Sequence, residues 1–91
     1  MLNEADILNV ALFGKTASEW RKENPNLKGN IRDYASIEQL LVIANMESYN
    51  AILIEQKVSQ SERLVQLNNM AKSQLRVIQN SNSRLLIEDK K

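Results

Sequence analysis

Four basic side chains stand close together in the first third of the chain, on either side of its single proline: Arg21, Lys22, Lys28 and Arg32. Guanidinium and ammonium groups bind the phosphates of nucleic acids, and the rings of Trp20 and Tyr34 nearby could stack on bases. Three acidic residues in the same stretch cancel most of the positive charge, and the whole chain carries only +1. Nucleic-acid binding through these four residues is therefore an open alternative, and a plain solvated surface is favoured over it.

Catalytic chemistry has little to build on in this sequence. Histidine and cysteine are both absent, which removes the commonest general base, the thiolate nucleophile and most zinc sites. The two glycines stand alone, so there is no glycine-rich loop to hold a phosphate. The 11 carboxylates are scattered, and nothing brings Glu38, Glu47 and Glu62 together. We expect no enzymatic activity, no cofactor and no metal site.

Side-chain amides are the remaining polar candidates, and four of them lie on the two long predicted helices: Asn45, Asn50, Asn68 and Asn69. A buried amide at a helix seam can set the register or the oligomeric state at a cost in stability. We expect most of these amides to face water and leave open that at least one is buried.

Three capping boxes, at 16–19, 36–39 and 59–62, predict where the helices that position these residues begin. In each, a Ser or Thr hydroxyl accepts from the backbone N–H three residues later, and the Glu or Gln there reaches back to the first residue's N–H. Asn3 and Gly14 suit the two ends of an earlier helix. Because Pro25 forces the preceding residue out of the helical region, it ends the second helix. The predicted helices are 4–13, 17–23, 37–57 and 60–80, with an irregular stretch at 24–33.

These helices predict an all-α fold: a small bundle in which a long antiparallel hairpin packs with two shorter N-terminal helices. The connection between helices three and four has about three residues, which requires the antiparallel hairpin. Trp20 is expected to fill the core between the long helices. At 81–83, either the fourth helix breaks or it continues into the tail. One domain covers 1–91, with the tail at 81–91 expected to fray.

Helix three is apolar on two sides and is the expected site of protein contact. One side carries Ile37, Leu40, Leu41, Ala44 and Ala51; the other carries Val42, Met46, Tyr49 and Leu53. A helix apolar over so wide an arc has packing neighbours on both sides. These are either helices one and four or a second copy of the chain. We predict that Val42, Met46, Tyr49 and Leu53 form the partner interface; if they pack on helix one instead, they are ordinary core.

Part of the sequence also resembles a known family. The segments that carry the resemblance are 12–21, 24–25, 28–35, 37–42 and 59–64, of which the run from Lys28 to Val42 is the most specific. They are similar to the helical region that follows the DNA-binding domain in KilA-N domain proteins of bacteria and their phages. The resemblance covers about residues 3–75.

The resemblance implies an accessory helical region without an activity of its own. In that family, DNA binding belongs to an upstream α/β domain, and no residue of this chain matches that domain. Self-association or binding of another protein is expected from the apolar sides of helix three and not from the resemblance. A stand-alone copy in a phage or mobile element would act as an inhibitor of a host protein.

Composition completes the expectations. No stretch approaches the roughly 20 apolar residues that span a bilayer, and acidic residues stand where a signal peptide would be basic. The lack of cysteine suits a reducing compartment. We therefore predict a cytoplasmic protein that binds itself or another protein, with no membrane contact.

Overall fold

The computed structural model describes residues 2–89, with side chains described up to residue 80. Within these residues there are four α-helices, one 3-10 turn and no strand. The helices are α1 (Glu4–Phe13), α2 (Ala17–Glu23), α3 (Ile37–Glu55) and α4 (Gln60–Asp89), and the 3-10 turn is Ile31–Tyr34. The predicted all-α bundle is confirmed: α3 and α4 pack on each other, and α1 contacts both.

Helix starts follow the predicted capping pattern. In the Thr16 and Ser36 boxes both hydrogen bonds are present. The hydroxyl accepts from the backbone N–H three residues later, and the side chain of that later residue accepts from the N–H of Thr16 or Ser36. At α4, the Ser59 hydroxyl accepts from the Glu62 N–H at 3.3 Å. A further box, Asn30 with Asp33, starts the 3-10 turn inside the stretch predicted to be irregular. Local signals thus set nearly every boundary, and the one missed element is a single turn.

The α3–α4 connection is a Schellman-type turn. The N–H of Val58 donates to the Leu53 carbonyl at 3.0 Å, and the N–H of Lys57 donates to the Ile54 carbonyl at 2.9 Å. Lys57 has φ 62°, the left-handed conformation that such a helix end requires. Since the turn begins there, α3 ends two residues before the predicted Lys57. At its other end α4 continues through 81–83, which decides between the two predicted alternatives.

The core lies where α1, α3 and α4 meet. Its buried members are Ile7, Leu8, Ala11, Val42, Ile43, Met46, Leu67 and Ala71. Half-buried residues of α4, among them Leu64, Leu75 and Ile78, pack against this cluster. Within residues 2–89, none of the helices combines the length and the apolar character needed to cross a membrane.

The predicted partner interface on α3 is corrected by this packing. Val42 and Met46 belong to the core cluster and Leu53 is also buried, while Tyr49 is half-buried against the cluster. The physical reason is that α1 and α4 together cover this side of α3. Val42, Met46 and Leu53 are therefore core residues of a single chain, which is the alternative that the sequence left open, and Tyr49 keeps part of its surface exposed.

Trp20 is buried, but not between the long helices. Its ring lies 5.4 Å from that of Tyr34, at an interplanar angle of 34°. With Phe13 and Ile31 it lines a separate groove outside the main core. Trp20 therefore fixes α2 to the 3-10 turn and leaves the face of α3 opposite the core uncovered.

Candidate protein interface

The rotation of α3 about its own axis is fixed by a polar cluster at one side of the core: Glu4, Asn50 and Arg63. The Arg63 guanidinium donates to both carboxylate oxygens of Glu4, from Nη1 at 2.5 Å and from Nη2 at 3.2 Å. Nη1 also donates to the Asn50 Oδ1 at 2.9 Å, and the Asn50 Nδ2 donates to Glu4 at 2.8 Å. One residue from each of α1, α3 and α4 is thus joined in a closed network.

This network is electrostatically matched although it is mostly buried. Arg63 and Asn50 are both buried, and Arg63 also donates from Nε to the Val58 carbonyl at 3.2 Å. The hydrogen bonds from Arg63, followed by the one from Asn50, lower the pKa of Glu4 below its ordinary value of 4.5. A buried charge with a paired, hydrogen-bonded partner is tolerated, whereas an unpaired one is costly. Asn50 is therefore the buried amide that the sequence left open.

Other amides link the helices at the edges of the core. The Asn68 Nδ2 donates to the Ala11 carbonyl at 2.8 Å, joining α4 to α1. The Asn45 Nδ2 donates to the Gln74 Oε1 at 3.0 Å, joining α3 to α4. Asn69 is exposed and lines a groove beside Tyr49. Only Asn50 of the four predicted amides is fully buried.

With its inward side fixed, α3 exposes the other apolar side. Counting from its first residue, positions spaced alternately four and three apart lie opposite the core, and all are exposed: Ile37, Leu41, Ala44, Ser48, Ala51 and Glu55. We call this row the α3 seam. Ile37 is 83% exposed and Leu41 51%. Leu40, Ile52 and Ile54, on either side of the seam, are also exposed.

The spacing of the seam is that of a coiled-coil helix. Residues repeating at 3.5 keep one face toward a partner helix, and small residues allow the two axes to approach closely. Here the large side chains Ile37 and Leu41 are followed by Ala44, Ser48 and Ala51. A single exposed large apolar residue needs no explanation. Ile37 and Leu41 in the seam, with Leu40, Ile52 and Ile54 beside it, place five of them on the side of α3 away from the core.

The basic residues proposed for nucleic acid are largely used within the chain. Arg21 donates from Nη1 to the Leu27 carbonyl at 3.1 Å and also donates to the Gly29 carbonyl. Its guanidinium lies 5.5 Å from the centre of the Trp20 ring. The Arg32 Nη1 lies 3.1 Å from a Glu47 carboxylate oxygen.

Lys22 and Lys28 remain exposed, and in the described part of the chain no side-chain hydrogen bond or ion pair engages them. Two of the four residues, Arg21 and Arg32, are therefore engaged within the chain, and Arg21 holds the loop that connects α2 to α3. The Tyr34 hydroxyl closes the same loop by donating to the Lys28 carbonyl at 2.6 Å.

A groove between α1, α2 and the 3-10 turn contains an amide oxygen that has no hydrogen-bond partner among the described residues. Its volume is about 300 Å³, and it is lined by residues of α1, α2 and the 3-10 turn, including Ala5, Asn9, Asn30 and Arg32. Asn9 is 5% exposed, and its Oδ1 has no hydrogen-bond partner. Elsewhere among the described residues, no three acidic side chains converge as a metal site would require.

The burial of Arg63 was not predicted from the sequence, and the sequence did not show which apolar side of α3 is buried. Arg63 lies four residues before Leu67 and eight before Ala71, so it falls on the buried face of α4. This position on the apolar face of α4 was the feature of the sequence that indicated the burial of Arg63. Both apolar sides of α3 were recognised, but the side chosen as the interface is the buried one.

Comparison with known proteins adds no relative to this geometry. No family model matches the chain, and neither a curated protein nor a solved structure matches it. The α3 seam is therefore interpreted from its own residues.

Proposed function

We propose that this chain is a non-enzymatic protein-interaction module that binds through the α3 seam. One observation carries the proposal: α3 has two apolar sides, and the fold of a single chain covers only one of them. Ile37, Leu41 and Ile52 stay in water on the other side. Burying these side chains against a partner helix would release about 25 cal/mol for each Å² of apolar surface.

The biological setting rests on the resemblance alone. Residues 28–42, its most specific part, include the loop after α2 and the first turn of α3. We propose an accessory helical region of a KilA-N-type bacterial or phage protein, acting in the cytoplasm. An inhibitor that captures a host protein would use the same seam.

Site-specific photo-crosslinking tests the proposal without knowledge of the partner. A photoreactive phenylalanine analogue is placed at Leu41 or Ile52 in cells that produce the chain. The matched control is Val77, which is 59% exposed on α4. We expect protein adducts from Leu41 and Ile52, not from Val77, and we expect the added substitution Ala44→Glu to abolish them. If neither Leu41, in the seam, nor Ile52, beside it, gives an adduct, the seam does not bind protein.

Nucleic-acid binding is the competing proposal. Lys22 and Lys28 support it because both residues are exposed and, among the described residues, no hydrogen bond or ion pair engages their side chains. Phosphate contacts make affinity fall steeply as the salt concentration rises. A titration with duplex DNA at two salt concentrations, repeated with Lys22→Glu and Lys28→Glu, measures this directly. Salt-dependent binding lost in both variants would favour this proposal over the seam.

A further inference from the structure

The α3 seam has a pattern that is complementary to itself when its direction is reversed. We propose that its partner is a second copy of the chain, with the two α3 helices packed antiparallel about a two-fold axis at the level of Met46. This inference rests on the proposed function, because it uses the same seam. It adds which molecule occupies the seam and in which orientation.

Reversing the second α3 helix about residue 46 determines which seam residues of the two copies lie opposite each other. In antiparallel coiled coils the two kinds of seam position face each other. Leu41 then lies opposite Ala51 of the second copy, and Ala44 opposite Ser48. All four are exposed in the single chain. Leu41 opposite Ala51 packs a bulky side chain on a small one, and Ala44 opposite Ser48 lets the two axes approach closely. At each end, Ile37 lies opposite Glu55 of the second copy. A parallel pair would instead place Leu41 on Leu41 and leave Ala51 against Ala51.

The flanking positions follow the same symmetry. Leu40 lies on the same side of the seam as Ile54 and, after reversal, approaches Ile54 of the second copy. Both are exposed, at 41% and 45%. Glu47 approaches its own copy across the axis, but its carboxylate is already paired with Arg32 at 3.1 Å within each chain. The acidic residue at the centre of the contact is therefore neutralised before the chains meet.

Charge at the seam ends selects the antiparallel orientation. α3 carries three glutamates, Glu38, Glu47 and Glu55, and no lysine or arginine. A parallel pair would place Glu55 against Glu55 at the negative C-terminal end of both helices. The antiparallel pair separates the two Glu55 side chains and places each beside the first turn of the partner helix, where the partial positive charge of the helix dipole offsets the carboxylate of Glu38 in that turn.

The seam is short, and this determines how the association behaves. Nineteen residues make a helix about 28 Å long and about 10 Å wide. The footprint of one helix face, roughly 300 Å², is small beside the roughly 800 Å² per partner of a standard interface. We therefore expect a dimer that dissociates on dilution. Because its contacts are apolar, raising the salt concentration should leave the dimer intact.

The first measurement is the mass in solution by light scattering, over a dilution series. We expect twice the 10.4 kDa of one chain at high concentration, and one chain for Leu41→Glu. Circular dichroism melting shows whether that variant is folded. Ala51→Glu provides a second seam variant, and Val77→Glu is the exposed control that should still dimerise. A mass of one chain at about 1 mM, which excludes dissociation constants below the millimolar range, overturns the proposal.

Disulfide formation tests the orientation, and the lack of native cysteine makes single substitutions clean. The L41C chain is mixed with an A51C chain of different length and oxidised. Antiparallel packing predicts the mixed disulfide, and V77C should form none with either. Predominant L41C–L41C and A51C–A51C products would show a parallel pair and overturn the inference. Seam photo-adducts only to other proteins, with a monomeric chain, would also overturn it while the proposed function stands.

Discussion

Arg63 and Glu4 lie 59 positions apart in the sequence, and their side chains meet at 2.5 Å. Their contact closes the three-helix core at one end: Glu4 is the first residue of α1, and Arg63 belongs to the first turn of α4. Asn50 of α3 donates to Glu4 and accepts from Arg63. Asn50 lies on the side of α3 that also carries Val42 and Met46, so the contact and the apolar core involve the same side of the helix.

Removal of the guanidinium should weaken the fold considerably. Arg63→Ala leaves the buried Asn50 Oδ1 without its donor and the Glu4 carboxylate with only the Asn50 amide as a donor. This should lower the free energy of unfolding by about 2–3 kcal/mol. Arg76→Ala, at an exposed position of the same helix, should change it by less than about 0.5 kcal/mol. Urea denaturation of both variants measures the difference, and equal effects would contradict a role for the network.

Acid should remove the contribution of Glu4 to stability. Its pKa is lowered in the folded protein by its hydrogen bonds to Arg63 and Asn50. The stabilisation is therefore fully present above the unfolded value of about 4.5 and is lost as the pH falls through the lowered folded value.

Glu4→Gln isolates this contribution, because Glu19 also has a lowered pKa through its capping bonds to Thr16. We expect the difference in melting temperature between wild type and Glu4→Gln to be largest near neutral pH. It should shrink as the pH falls below 4.5. A difference that stays constant with pH would show that Glu4 does not titrate with folding.

The two buried asparagines should respond oppositely to the same substitution. Asn50 is 4% exposed and fully paired, so Asn50→Leu should cost about 2 kcal/mol by leaving Arg63 with an unmet donor. Asn9 is 5% exposed with an unpaired Oδ1. Because it has no hydrogen bond to lose and borders an open groove, Asn9→Leu should be neutral or stabilising by about 1 kcal/mol. Thermal melts compare them, and a large loss for Asn9→Leu would indicate an unseen partner.

The two glycines provide another matched pair. Both have positive φ, 79° at Gly14 and 87° at Gly29. A Cβ at Gly14 meets nothing within 4 Å, so Gly14→Ala should cost about 1 kcal/mol through backbone strain alone. A Cβ at Gly29 would collide with the Asp33 carboxylate, which holds the Asn30 N–H at 2.7 Å. Gly29→Ala should therefore cost more than Gly14→Ala in chemical denaturation, and the reverse order would contradict this geometry.

Charge on the two sides of α3 should separate folding from association. Met46 is completely buried, so Met46→Glu should unfold the chain, with loss of the helical circular dichroism signal. Leu41 is half exposed, so Leu41→Glu should keep that signal and change only the mass in solution. A folded Met46→Glu protein would show that the core is not the one described.

The elements could be predicted because their signals are local. The Thr16 and Ser36 boxes start α2 and α3 at the predicted residues, and Asn3 with Gly14 bounds α1 correctly. The short 3-10 turn escaped prediction because Asn30 is a weaker signal inside a segment with proline and glycine. In each confirmed case, the bonds join residues three or four positions apart.

The candidate interface depended on contacts between distant segments. Whether Met46 or Leu41 faces inward is decided by where α1 docks, and Ile7 is more than 30 residues away from both. Sequence periodicity showed two apolar sides but carries no information on which is covered. The burial of Arg63 likewise depends on Glu4, so its helical phase indicated the buried face without naming the partner.

The docking of α1 onto α4 has a consequence for synthesis on the ribosome. Ile7 and Leu8 share their core cluster with Leu67 and Ala71, roughly 60 residues later. At about 5–20 residues per second, translation leaves the apolar stripe of α1 without its partner for about 3–12 s. During that interval the α1 side chains that later pack on α4 lack that contact. Closure of the bundle waits until the middle of α4 has emerged from the ribosomal tunnel.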